Sequence, residues 1–162
     1  MNFDLYFLNL INGYAGKWKY LDFLAIFFAK YLGYLLIICL AIFALVSKNI
    51  NIFVMPILAG IVSRFAINQI IYFFYKRKRP SEILSIKTLI KKPNHPSFPS
   101  GHTSFFFAIS FSVLFYNLTI GSIFLVLSFF IAFFRVFTGV HWPFDILAGI
   151  FAGLISSLIF FI

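Results

Sequence analysis

Three short clusters of polar residues carry the side chains that phosphoryl transfer needs. They are Lys76-Arg77-Lys78-Arg79-Pro80, then Pro99-Ser100-Gly101-His102, then Arg135 followed by His141 and Asp145. Arg79 and Arg135 each offer a planar guanidinium that donates paired hydrogen bonds to phosphate oxygens. Ser100-Gly101-His102 opens an apolar run, and a helix starting there points free N–H groups and its positive dipole end at an anion. Gly101 lets the backbone come close to a phosphate. Such donors also stabilise the extra charge of a trigonal-bipyramidal transition state.

Hydrolysis further needs a nucleophile and a proton carrier, and two histidines fit. Pro143 suits the first position of a final helix, which puts His141 just before it. Asp145, four residues after His141, can accept a ring N–H where the chain turns. That bond fixes the tautomer and makes the other ring nitrogen the better nucleophile. His102, from another helix, is the candidate to protonate the leaving group and then activate water. Each feature alone has a plainer reading: a basic anchor beside a membrane for residues 76–79, a helix N-cap for Ser100, a cap of the last helix for Asp145, interfacial polar residues for the histidines. All three clusters occurring in order outweighs those readings.

The elements that must position these residues are legible from composition. Of 162 residues, 62% are hydrophobic and only 10% charged, and phenylalanine alone occurs 26 times. A soluble domain of this length cannot hide so much apolar surface, whereas a bilayer accepts it. Runs 20–46, 50–75, 119–137 and 143–162 are long enough to cross as helices, and 100–116 is a shorter fifth. Residues 1–16 mix apolar positions with Asp4, Asn9 and Asn12 and read as an interfacial helix. The expected fold is an all-α polytopic membrane bundle of about five transmembrane helices plus that interfacial helix, one domain over 1–162.

Most connections are tiny, but residues 76–99 hold seven of the 13 Lys/Arg and four of the six prolines. This is the expected active-site loop. Five crossings put it on the same membrane face as the loop carrying His141, with the N-terminal stretch on that face and Lys48 opposite. The opening Met-Asn-Phe-Asp lacks a basic n-region, so no cleaved leader is expected. The formal charge of +9 lies between membrane segments, which points to anionic lipid or a phosphorylated substrate rather than nucleic acid. Cys39 sits in an apolar run and cannot form an internal disulfide.

The order Arg79-Pro80, Pro99-Ser100-Gly101-His102, Arg135-x5-His141-x3-Asp145 resembles the signature of the phosphatidic acid phosphatase type 2 family, which includes bacterial lipid phosphatases and the soluble vanadium haloperoxidases. The match spans roughly residues 72–145. The resemblance implies His141 as nucleophile, Asp145 as its orienting partner and His102 as general acid. It implies Arg79, Arg135, Ser100 and Gly101 as phosphate ligands, with no metal ion and no cofactor. Two positions depart from the family pattern. Tyr72 stands where the family has a lysine, so Arg77 or a neighbouring lysine is expected to supply the missing phosphate contact. Phe134 stands where a serine usually precedes the arginine.

Arg64 lies midway along its apolar run, with Asn68 and Tyr72 on the same helix face at four-residue steps. Charge inside a membrane is expensive, so this stripe should face inward, as a hydrogen-bonding strut or to receive a head group. Lys30 is a second such charge, with no evident partner. The small size, Ile11-Asn12-Gly13-Tyr14-Ala15-Gly16 and Phe28-Ala29-Lys30-Tyr31 are similar to bacterial undecaprenyl diphosphate phosphatases of this family. Phosphatidylglycerophosphate, phosphatidate and lipid A phosphates are the alternative substrates. The resemblance implies a cell (inner) membrane location with the site facing the periplasm or exterior, whereas the basic loop by itself argues for the cytoplasm. Two rival classes are a metal hydrolase using His95, His102, His141 and Asp145, and a non-enzymatic lipid-binding or transport protein.

Overall fold

The computed structural model of the chain describes residues 3–162; positions 1 and 2 of the expected interfacial segment lie outside the described residues. The helices are α1 (Phe3–Asn12), α2 (Lys19–Val46), α3 (Asn51–Phe74), α4 (Pro80–Ile83), α5 (Gly101–Leu114), α6 (Leu118–Phe137) and α7 (Pro143–Phe161). There is no strand among the described residues. Lipid leaves backbone groups no partner but the helix itself, so uninterrupted apolar runs become helices. Asn117 caps α6 by accepting the Ile120 N–H at 2.9 Å, and prolines occupy the first turns of α4 and α7.

Four helices, α2, α3, α6 and α7, are long and apolar enough to cross a membrane. The fifth expected crossing, α5, is shorter, and it is the most enclosed element: almost every residue from Gly101 to Val113 is buried against α3, α6 and α7. Its 14 residues reach only about 21 Å, less than a bilayer core. Ser100 lies beside Gly149, well inside α7, so α5 begins below the ends of its neighbours. That leaves a recess, and the end of the 76–99 loop enters it, with Ser97 bonded to Asp145 and the Pro99 carbonyl to Tyr72.

Small residues set the closeness of this packing. A side chain at Gly149 would come within 2.9 Å of the Ser100 carbonyl, and one at Gly153 within 2.8 Å of the Ser104 carbonyl. Interhelical hydrogen bonds add to it, from Asn68 to Ser104 at 2.7 Å and from Ser156 to the Ala59 carbonyl at 2.6 Å. The outer faces carry exposed Leu45, Phe73 and Phe151, as lipid contact requires. Within α2 and α3, Phe27–Tyr31 and Ser63–Ile67 each widen into a single π-type turn.

The loops after α3 and α6 meet at one end, where α1 also packs. Asn12 donates to the Lys87 and Phe137 carbonyls at 2.9 and 2.7 Å, and Asp4 accepts the Phe144 N–H at 2.8 Å. The expected sharing of one face by these three segments is what the chain adopts.

Candidate active site

His141 is buried in the turn between α6 and α7. Gly139, at φ +76, gives that turn its left-handed step, which L side chains rarely take. The His141 Nδ1–H donates to the Ser97 carbonyl at 3.0 Å and, more weakly, to Asp145 Oδ2 at 3.4 Å. Nε2 therefore carries the lone pair, and Arg79 Nη1 donates to it at 3.2 Å. Burial drives the imidazole down to about 3, with the Arg135 and Arg79 charges pushing the same way against Asp145. The ring is neutral at physiological pH.

Asp145 is fully buried and saturated. Its Oδ2 accepts the Trp142 N–H at 2.9 Å and the Ser97 hydroxyl at 2.5 Å, while its Oδ1 accepts from Arg77 at 2.8 Å. It thus caps α7 and orients His141 at once. Ser97 was invisible to sequence reasoning: no spacing rule ties a loop serine to an aspartate 48 positions on. Nor does Ser100 act as the side-chain cap that its position invites. Its hydroxyl accepts from Thr103 at 3.0 Å, and no side chain caps the start of α5.

The two expected arginines differ from ordinary buried charges. Arg79 is held by the Val140, His95 and Pro96 carbonyls, and the Arg135 side chain makes one hydrogen bond among the described residues, to the Ala29 carbonyl at 3.4 Å. Neither has a carboxylate partner among the described residues, and the Nε of each is buried with no hydrogen-bond partner. Burial lowers Arg79 from its ordinary value, and a guanidinium stays charged in proteins. An uncompensated buried guanidinium is costly, and an anion between the two would relieve it.

Arg77 lies elsewhere. It bridges Asp4 and Asp145 and stacks over Trp142 at 5.1 Å, so carboxylates rather than an open anion site engage it. Tyr72, in the family's lysine position, donates to the Pro99 carbonyl at 2.8 Å and stacks on His95. It holds the loop that leads into α5. Arg64, two turns earlier, reaches Gly101: a side chain there would be 3.7 Å from Arg64 Cγ and Nε. His102 faces a cavity next to Arg64. The rival metal set is not gathered, since among the described residues no three His, Cys, Asp or Glu side chains are placed to hold an ion.

A multi-pass helical bundle of this fold and site is a membrane lipid phosphatase. Comparison with known proteins agrees. The PAP2 superfamily matches residues 53–162. The chain is 31% identical over 165 residues to undecaprenyl-diphosphatase BcrC of Bacillus subtilis (strain 168), covering 99% of this chain and 83% of that protein. It is 29% identical over 164 residues to the bacitracin transport permease protein BcrC of Bacillus licheniformis, covering 99% and 79%. Among solved structures, Aquifex aeolicus LpxE superposes with a TM-score of 0.78 at 28% identity, covering 99% of this chain and 96% of that one. The PAP2-type phosphatidylglycerolphosphate phosphatase of Bacillus subtilis shares the fold, with a TM-score of 0.68 at 20% identity over 98% and 85% of the two chains. The chain belongs to the PAP2 superfamily.

Proposed function

We propose that this phosphatase removes the terminal phosphate of undecaprenyl diphosphate, leaving undecaprenyl phosphate, through a phosphohistidine on His141. The observation that carries the chemistry is the pair of buried, carboxylate-free guanidiniums of Arg79 and Arg135 near a neutral His141, whose Nε2 carries the lone pair and faces Arg79. The substrate reading is supported by similarity to the Bacillus subtilis diphosphatase along nearly the whole chain.

In this reading the substrate phosphate enters between Arg79 and Arg135, with the uncapped start of α5 donating through the Gly101 N–H and the Ser100 hydroxyl, since the Ser100 N–H is taken by the Asp145 carbonyl. Nε2 attacks the phosphorus. The Nδ1 proton stays with the Ser97 carbonyl and Asp145, so the ring keeps its orientation as positive charge develops. His102 serves the leaving group and then takes a proton from the water that frees phosphate. Arg77 acts through Asp145 rather than on phosphate. The chain works as one domain over 1–162 with 76–99 as its active-site loop, in the cell (inner) membrane with the site facing outward.

The Bacillus licheniformis relative bears a transport name. Transport alone leaves unexplained a buried imidazole whose proton is fixed on one nitrogen while the other faces an arginine.

The test is phosphate release by purified protein in detergent with a chelator present, comparing polyprenyl diphosphate, phosphatidylglycerophosphate and phosphatidate. Polyprenyl diphosphate should be preferred, and His141→Ala should lower turnover at least about 1,000-fold while leaving the fold intact. A mutant that keeps its activity, or an enzyme that needs added metal, would sink the mechanism.

A further inference from the structure

Next to the histidine site, between α2, α3, α5 and α6, lies a half-open cavity of about 380 Å³. Its basic lining is Lys30, Arg64 and His102, and its walls include Gly33, Tyr34, Phe65 and Phe106. Lys30 and Arg64 come from different helices, and each sits in the one π-type turn of its helix. Such turns cluster at functional sites. Neither cation has a carboxylate partner among the described residues. Each lies over the ring of its own neighbour, Tyr31 at 5.1 Å and Phe65 at 5.4 Å. Arg64 stands ten residues, about 15 Å, before the end of α3, at membrane depth. An unpaired cation there is expensive unless it meets an anion, and exposed Lys30 lines the same cavity. The strut along this face is Asn68, which bonds Ser104 and is fully buried. Arg64 is left to line the cavity on one side and approach Gly101 on the other.

We propose that Arg64 and Lys30 form a second phosphate subsite, which holds the lipid-attached phosphate of a diphosphate while Arg79 and Arg135 hold the phosphate being transferred. This rests on the phosphohistidine reading above. His141 Nε2 forms a bond to the distal phosphorus as the bridging P–O bond breaks. The electron pair stays on the bridging oxygen, which becomes a terminal oxygen of the lipid monophosphate. Water then displaces the phosphate from His141, giving up its proton to His102. A phosphate monoester has a second pKa of about 6 and leaves without a strong acid, so cations beside it are the main help it needs. The alcohol of a lipid monophosphate leaves as an alkoxide about as basic as hydroxide and depends on protonation by His102. Diphosphates therefore lean on Arg64 and Lys30, and monoesters lean on His102.

The experiment measures kcat/KM for a polyprenyl diphosphate and for phosphatidate with wild type, Arg64→Leu, Arg64→Lys, Lys30→Met and His102→Gln. Arg64→Leu should cost the diphosphate at least about tenfold more than phosphatidate, with Lys30→Met smaller in the same direction and Arg64→Lys restoring most of the loss. His102→Gln should do the opposite, costing phosphatidate more than the diphosphate and so widening the preference for the diphosphate. Equal losses on both substrates, or none, overturn the subsite. A second readout does not depend on monoester turnover. Polyprenyl monophosphate, the product, should inhibit wild type, with a Ki about tenfold weaker in Arg64→Leu, while inhibition by inorganic phosphate stays put. An unmoved product Ki also overturns the proposal. Failure of the underlying mechanism looks different: wild type releases no phosphate, or His141→Ala remains active.

Discussion

At His141 the stronger acceptor for the Nδ1 proton is a backbone carbonyl, and the aspartate acts as much through what surrounds it as through the ring. Ser97 contributes twice, by its carbonyl to the imidazole and by its hydroxyl to Asp145. Ser97→Ala keeps the first bond and loses the second. The expected result is a fold weakened by about 1–3 kcal/mol in thermal melts and a kcat lowered about tenfold with KM nearly unchanged. A KM effect as large as the kcat effect would place Ser97 on the substrate instead. The ring's own titration is a separate prediction. Its folded value, pressed by burial to about 3, lies below the ordinary value of about 6.5, so the neutral form is the folded form. Stability from this group is complete above about pH 6.5 and falls as pH drops from there towards about 3. In the free protein, the His141 ring proton identified by loss in His141→Asn should show no chemical-shift titration between about pH 5 and 8. A midpoint near 6.5 would mean that the ring is solvated and the site looser than described.

At the scale of elements, α5 and α7 decide where the phosphate cradle sits. Their contact at Gly149 leaves no room for a methyl group between α7 and the Ser100 carbonyl, and Ser100 N–H is itself bound to the Asp145 carbonyl at 3.0 Å. Gly149→Ala should push α5 off, costing about 1–3 kcal/mol in stability and at least tenfold in kcat, although the residue touches no substrate. An alanine variant with wild-type kcat would show that the two helices slide without moving the site. Helix positions were readable in advance because lipid gives the backbone no alternative partner: the runs 20–46, 50–75, 100–116, 119–137 and 143–162 became helices with ends shifted by a few residues at most. What could not be read were contacts that only the assembled bundle creates. Arg77 was expected on phosphate, and the structure puts it on Asp4, 73 residues away, and on Asp145. The convergence of Lys30 with Arg64 likewise depends on two π-type turns that leave no mark in an apolar run. Order along the chain brought the three polar clusters to one end, but it carried no information on which side chain satisfies which.

The whole molecule is polarised. Lys17, Lys19, Lys76, Lys78, Lys87, Lys91 and Lys92 are exposed at or beside the site end, and Lys48 stands at the opposite end. Counted by the rule that places positive loops in the cytoplasm, this arrangement argues for an inward-facing site, against the outward orientation proposed here. Two physical points weaken the count. Arg77 and Arg79 in the same loop are engaged inside the fold, by carboxylates and by carbonyls, and Lys92 is paired with Glu82 at 2.9 Å. The remaining lysines are exposed at the end where an anionic lipid head group would bind, and each adds attraction of about 1 kcal/mol to an anionic surface. Orientation can be read without reference to activity. With Cys39→Ser as background, Lys91→Cys and Lys48→Cys place single thiols at exposed positions on opposite ends. A membrane-impermeant maleimide added to intact cells should label Lys91→Cys and spare Lys48→Cys, with both labelled after permeabilisation. The reverse pattern would put His141 on the cytoplasmic side, and the enzyme would then meet its lipid on the inner leaflet.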